Sequence, residues 1–324
     1  MNRFLSKNGW TVGLAVLFTA LLVATKLIQP DFGVSGLESL GRAALPFAFA
    51  ALGMAVVVIA GGIDLSLASM MAVTSVTAAT LMDGASDTNT VFILLFVLAL
   101  GIAMGAVNGV LVVVTRVPDI VVTLSMLFVW QGVALLILNA PGGYAAPWLR
   151  ALAVGGVTLP FVPEALTLWL PKSLVFLAVC SAAIWLPIRR SKLGLMFYAV
   201  GSDEMAAFRS GVPVGRIKIA AYAVAGVFAA LGGISVTMST GIGEPIPGPY
   251  LMAAVAAVVL GGVVLGGGRG GLLGPVLAVF ILRLVRMDLT LMSVDPNVTT
   301  IVEGSVMVVV VMIGGLLAMR GRKA

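Results

Sequence analysis

The chain contains no histidine. That absence removes His-based metal sites, Ser-His-Asp triads and Cys-His nucleophiles together, so no catalytic residues and no metal ligands are assigned. Charge is scarce as well: 10% of the 324 residues are Asp, Glu, Lys or Arg, against roughly a quarter in an ordinary soluble domain. The single cysteine, Cys180, excludes an intramolecular disulfide and lies inside an apolar run, where it reads as a small packing residue. No glycine is followed by lysine anywhere. The glycine-rich run GGVVLGGGRGGLLG (261–274) therefore lacks the Lys and hydroxyl residue that a Walker loop requires. It reads instead as a tight turn with Arg269 toward the cytoplasm.

What is present is apolar surface. Hydrophobic residues make up 60% of the chain, more than a water-soluble fold can hide. They fall into about ten runs separated by Gly or Pro clusters, many near the ~20 residues needed to cross a bilayer. The runs are Trp10–Ile28, Ala43–Ala60, Ser66–Met82, Val91–Val114, Ile120–Asn139, Ser173–Ile188, Ile219–Thr240, Leu251–Leu265, Leu272–Val285 and Thr300–Met319. In lipid each must satisfy its own backbone, and the alternation of a membrane barrel is missing, so each is expected to be a helix. The fold class is thus an all-α polytopic membrane protein, a single transmembrane domain over residues 1–324. Arg3 and Lys7 before the first run imitate a signal peptide, but the run is long and Ala24-Thr25-Lys26 offers no small-residue cleavage site.

The formal net charge of +6 comes from Lys and Arg between the apolar runs, with no aromatic-interleaved basic face, so no nucleic-acid partner is expected. Cytoplasmic loops collect basic residues, which fixes an orientation. Arg189, Arg190, Lys192, Arg209, Arg216 and Lys218 place segment 189–218 inside; both termini, with Arg3, Lys7, Arg320, Arg322 and Lys323, fall on the same side. The opposite loops hold Asp31, Glu38, Asp83, Asp87, Glu244, Asp288 and Asp295. Arg42, Arg150 and Lys172 are exceptions, and Arg283 and Arg286 weaken the pattern at the outer end of the ninth run. The outer segment Ala140–Lys172, rich in Pro and Gly, either lies on the membrane surface or contains a short helix. A weak internal echo pairs Gly61-Gly62-Ile63-Asp64-Leu65 with Gly261-Gly262-Val263-Val264-Leu265, as a duplicated transporter fold would.

The cytoplasmic segment is too long for a bare turn. Ser202 or Asp203 can cap a short helix through Ala206, Ala207 and Phe208, and Gly211 can end it before Pro213. Such a helix, with one apolar face and flanking charges, suits docking to a soluble partner. Asp64, beside Gly61-Gly62, reads either as a polar constriction or hinge, or else it or Ser66 is the cap of the third helix at the inner surface. Gly101, Gly105 and Gly109 recur at helix-packing spacing, and Asn108 beside them either lines a path or bonds across a helix contact. Glu303 is expected to be solvated at the interface.

Four segments resemble the permeases of the ribose, xylose, arabinose and galactose importers, relatives of the branched-chain amino acid permeases. They are LGMAVVVIAGGIDLS (52–66), NGVLVVVTRVPDIVVTLSM (108–126), AVGSDEMAAFRSGV (199–212) and the stretch from Tyr250 to Gly274. The resemblance implies a type II importer fold of ten helices in the bacterial inner membrane and a second permease subunit, identical or not. It also implies two cytoplasmic ATPase subunits carrying ATP and Mg, with no cofactor on this chain, and a periplasmic solute-binding protein. By the same resemblance Gly201, Ser202, Ala206, Ala207, Arg209 and Gly211 form the segment that couples to the ATPase, while Gly61, Gly62, Asp64 and Asn108 are candidates for the path or a hinge. The sequence departs from the pattern in SLAS (66–69), where SVGS is usual, at Asp119, where Phe is usual, and at Leu251 and Ala253, where acidic residues are usual. The expected function is import of a small sugar-like solute by alternating access. The alternatives are a branched-chain amino acid permease and a stand-alone ion- or proton-coupled carrier, although the latter would want several ionisable residues within its spans.

Overall fold

The computed structural model describes residues 2–157 and 167–320. Stretch 158–166 of segment 140–172, and Arg322 and Lys323 of the tail, lie outside the described residues. The helices are α1 (Asn2–Ile28), α2 (Val34–Ile59), α3 (Leu67–Met82), α4 (Asp87–Thr115), α5 (Asp119–Ile137), α6 (Pro147–Ala151) and α7 (Lys172–Arg190). They continue with α8 (Lys192–Ser202), α9 (Glu204–Arg209), α10 (Val214–Thr240), α11 (Tyr250–Leu260), α12 (Leu273–Leu291) and α13 (Pro296–Arg320). Among the described residues β pairing is limited to two isolated bridges, Gly142 with Gly243 and Gly156 with Pro171.

Each expected apolar run falls on a helix. Six helices among the described residues are long and apolar enough to cross a membrane: α1, α2, α4, α5, α7 and α10. The apolar helices α3 and α11 are shorter. The eighth run ends earlier than expected, at Leu260, because Gly262 adopts φ +79° and the chain closes on itself. There the Gly262 N–H donates to the Val259 carbonyl at 3.0 Å and the Val263 N–H to that of Val258 at 3.1 Å. The Gly61-Gly62 turn after α2 makes the same two bonds, to Val58 and Val57. The same helix-ending motif closes both helices, but it matches Gly61 with Gly262, one residue out of register with the echo of Gly61 and Gly261 in the sequence. Segment 140–172 contains the single-turn helix α6, and α12 runs past Val285, bringing Arg286 and Asp288 inside a helix.

Two helices, α2 and α10, occupy the centre. α2 is buried without interruption from Ala44 to Ala60, and α10 lies against α4, α2 and α3. The outer helices turn large apolar residues such as Leu27, Phe92, Phe128 and Leu136 outward, to be covered by lipid. Between α4 and α10 the glycine stripe works as a close-packing surface. A Cβ on Gly105 would collide with the Tyr222 carbonyl oxygen, and one on Gly226 with that of Gly101. The backbones therefore approach as only small residues allow in lipid, where dispersion and hydrogen bonds replace the hydrophobic drive. Across α3 and α10 the hydroxyls of Ser75 and Thr237 add a hydrogen bond of 3.0 Å.

Glu303 is not solvated. It is 8% exposed, two turns inside α13, and it bridges two arginines of α12: Arg283 at 3.1 Å and Arg286 at 2.9 Å. The Arg283 guanidinium also lies over the Phe47 ring of α2, 4.0 Å from its centroid. The two arginines that weakened the charge pattern are thus partners of a buried carboxylate between helices rather than loop charges, and the rule for loops does not count them.

These contacts set an expected outcome. Gly105→Leu should lower the melting temperature of the detergent-solubilised protein strongly, because the collision is with backbone and overpacking of this kind costs about 1–3 kcal/mol or more. Gly132→Leu on α5, where a Cβ meets nothing within 4 Å, should leave it nearly unchanged. Fluorescence-detected thermal unfolding of both variants checks the contrast.

Candidate functional site

The break between α2 and α3 gathers the polar side chains that the apolar helices lack. α2 stops because Gly61 adopts φ +85°, a conformation that side chains resist. The chain then crosses Gly62, Ile63, Asp64 and Leu65 before α3 begins at Leu67. Asp64 is completely buried. Its Oδ1 accepts the Ser66 N–H at 2.9 Å and the Ser66 hydroxyl at 2.7 Å, while Oδ2 has no hydrogen-bond partner. The Ser66 oxygen in turn accepts from Asn108 Nδ2 of α4 at 2.7 Å, and Asn108 Oδ1 accepts from the Trp130 indole of α5 at 3.1 Å.

A second set of bonds holds the other side of the break. The carbonyl of Ile63 accepts from Thr123 Oγ1 of α5 at 3.2 Å and from the Tyr222 hydroxyl of α10 at 3.2 Å. The same phenol lies 3.1 Å from Asp119 Oδ2, so its single proton serves one acceptor at a time. Asp64 and Asn108 are therefore brought together through Ser66. Asp64 closes a local turn on Ser66, the residue that precedes α3, but no side chain caps the first N–H groups of that helix, and the turn is buried rather than at a solvated surface. Ser66 was read from sequence only as an alternative cap of the third helix, and Trp130 and Tyr222 were not singled out. The available signal was that a Trp or Tyr within a span must find a partner for its N–H or O–H.

Segment 189–218 contains two short helices, α8 and α9. Asp203 begins α9, its Oδ1 accepting the Ala206 N–H at 2.9 Å, and Gly211 at φ +82° ends it. Ser202, Ala206, Arg209 and Gly211 are exposed, whereas Ala207 faces inward at 6% exposure. The exposed apolar residues of α9 are Met205 and Phe208, at 58% and 66%. An ion pair of 2.7 Å from Lys218 to Glu204 ties α9 to α10.

Gly201, at the end of α8, meets the break directly. A Cβ there would collide with the Ile59 carbonyl oxygen and lie 2.6 Å from the Gly268 nitrogen. Gly268 itself donates to the Ile59 carbonyl at 3.0 Å. Gly267, with φ +79°, has room for no side chain because Gly201 and the Gly61 Cα face it. Three connections, 59–62, 201–202 and 267–268, thus touch backbone to backbone. Gly61 and Gly201, read separately from sequence, are neighbours. Gly62 lies against Asp119 and the Tyr222 hydroxyl, on the far side of the same turn.

The chain matches proteins of known type over nearly its whole length. It is 30% identical over 303 residues to the ribose import permease protein of Escherichia coli (strain K12), covering 93% of this chain and 92% of that one. It is 29% identical over 318 residues to the autoinducer 2 import system permease protein of Escherichia coli O9:H4 (strain HS), covering 94% and 92%. No solved structure matches it. A family model described as the permease component of branched-chain amino acid transport systems matches residues 36–311. The chain belongs to this family of multi-pass transport permeases.

Proposed function

We propose that this chain is the membrane-spanning permease subunit of an ATP-binding cassette importer and carries a small, neutral, sugar-like solute into the cytoplasm by alternating access. The observation that carries the reading is the match to a ribose import permease over 93% of the chain. The importer would have about ten spans in a type II arrangement in the inner membrane, with both termini cytoplasmic. It would work as a pair of permeases with two ATPase subunits, which hold ATP and Mg, and with a periplasmic binding protein.

Charge supports a neutral solute. Among the described residues Arg283 and Arg286 are both engaged by Glu303, so these two cations within the helices are not free for an anionic cargo. The exposed Met205 and Phe208 on α9 suit a groove on a soluble partner, flanked by Arg209 and Glu204. Movement of α9 reaches the break through Gly201, and the break is bonded to α4, α5 and α10. A partner that binds one arrangement of α9 more tightly than another shifts the population of the break with it. Affinity for solute would mostly reside in the binding protein, since a tight site in the path would slow release.

Three outcomes are expected. In a Cys180-replaced protein, Ser202→Cys should resist an impermeant thiol reagent in intact cells while Thr88→Cys and Pro247→Cys react; labelling at Ser202 would refute the orientation. Phe208→Asp should abolish co-purification of the ATPase while leaving membrane insertion intact, because a charge in an apolar docking groove costs about 1–3 kcal/mol or more; undiminished co-purification would reject docking by α9. Radiolabelled uptake with and without the gene should respond to a pentose, hexose or polyol. Gene-dependent uptake of leucine or valine with no response to any of these would assign the chain to amino acid transport instead.

A further inference from the structure

The segment after α10 does not leave the protein directly. Gly243 exchanges two hydrogen bonds with Gly142, at 2.7 and 3.2 Å, and the Glu244 N–H donates to Ser75 Oγ at 3.2 Å, about halfway along α3. α11 then begins at Tyr250 and has 11 residues, so it rises about 16 Å. That is roughly half of a ~30 Å hydrocarbon core. Residues 241–249 are therefore irregular backbone drawn toward membrane depth, which lipid tolerates only where it is buried in protein or lines a water-filled cavity.

Such a cavity is present. A space of about 150 Å³ lies between α3, α10 and this segment, lined by Met71 and Ser75 of α3, Thr240 of α10, and Glu244, Pro247 and Tyr250. Its volume is that of a site for one small ring, on the order of the 150 Å³ that accommodates benzene in an engineered core. Two of its polar groups are uncommitted. Glu244 uses its backbone N–H but its carboxylate makes no hydrogen bond or ion pair among the described residues, and the Tyr250 hydroxyl makes no hydrogen bond there either. The other hydroxyls are engaged in shaping the wall: Ser75 with Thr237 and Glu244, Thr240 with the carbonyls of Val236 and Ile242. The Tyr250 ring is fixed at 4.7 Å from that of Phe47, whose own ring carries the Arg283 guanidinium.

We propose that this cavity binds the solute in transit and selects a small neutral polyol, with Glu244 and Tyr250 as the contacting polar groups. The proposal rests on the importer reading and adds where the solute is held. A carboxylate with two free oxygens accepts from vicinal hydroxyls, the phenol both donates and accepts, and Met71 and Pro247 offer apolar surface to the C–H face of a ring. No Lys or Arg lines the space. An anion, or the carboxylate end of an amino acid, meets Glu244 in the lining while the neighbouring guanidiniums stay outside it, Arg283 over Phe47 and Arg150 beside Gly241, so the cavity disfavours both.

The test uses the full importer in proteoliposomes with saturating binding protein, assayed with D-ribose, D-galactose and leucine. Glu244→Gln should slow uptake of the transported sugar roughly tenfold and Tyr250→Phe about threefold, the ratios expected for losing a charged and a neutral hydrogen bond. The amount of co-purified ATPase reports assembly, and Tyr250→Phe removes one oxygen while keeping the ring against Phe47. Independently, Pro247→Cys should react with an external thiol reagent more slowly when loaded binding protein is supplied. Wild-type uptake of sugar that neither Glu244→Gln nor Tyr250→Phe alters, or labelling at position 247 indifferent to solute, would overturn the cavity assignment alone. Failure of the wild-type importer to move any sugar would overturn the importer reading first.

Discussion

Everything in this fold is arranged around one constraint: within lipid, a backbone N–H or C=O that leaves a helix must be met by another protein group. Apolar helices satisfy it internally, and each departure from helix has to be furnished with side chains or a second backbone. At the break between α2 and α3 the furnishing is almost complete. The Ile63 carbonyl lies within reach of two hydroxyl donors that it shares with Asp119, the Ser66 N–H goes to Asp64, and the Ile59 carbonyl takes the Gly268 N–H. The remaining Asp64 oxygen is the exception, a buried acceptor without a donor. Such a group raises the energy of the arrangement that leaves it unsatisfied and so favours an alternative in which it is met. The segment after α10 follows the same rule with different means, pairing Gly243 to Gly142 and Glu244 to Ser75.

Position and type of the helices were legible because the solvent they face is uniform. Each run of apolar residues, and each Gly or Pro that ends it, has the same meaning wherever it occurs in the chain. Helix-ending glycines were legible for a similarly local reason: Gly211 closes α9 as expected, and the Asp203 cap lies where Ser202 and Asp203 suggested it. The glycine stripe on α4 could be read as a packing face, although nothing local named α10 as its partner.

What escaped the sequence depends on which residues meet across distance. Ser66, Asn108, Trp130 and Tyr222 come from four separate stretches, and none has a neighbour in sequence that announces the others. Glu303 looks like an interfacial carboxylate until α12 supplies two arginines, a pairing separated by 17 and 20 positions. Ala207 fits the pattern of a docking helix, but rotation about the α9 axis, set by its seat on the core, turns it inward and presents Met205 and Phe208 instead. Helical phase in a helix this short cannot be fixed by periodicity, because a single turn and a half samples too few positions to define a face.

The junction of Gly61, Gly201 and Gly267 carries a mechanical consequence. Side chains absorb small displacements by moving between rotamers, and long ones can take up an ångström without disturbing what lies beyond them. Where three main chains touch with no side chain between, that compliance is missing. A displacement of the α8 terminus has no rotamer to spend itself on; it must move the end of α2 and the glycine turn with it, or not occur. The joint resembles a hinge machined without play: it tolerates almost no substitution, and its three backbones can shift only together.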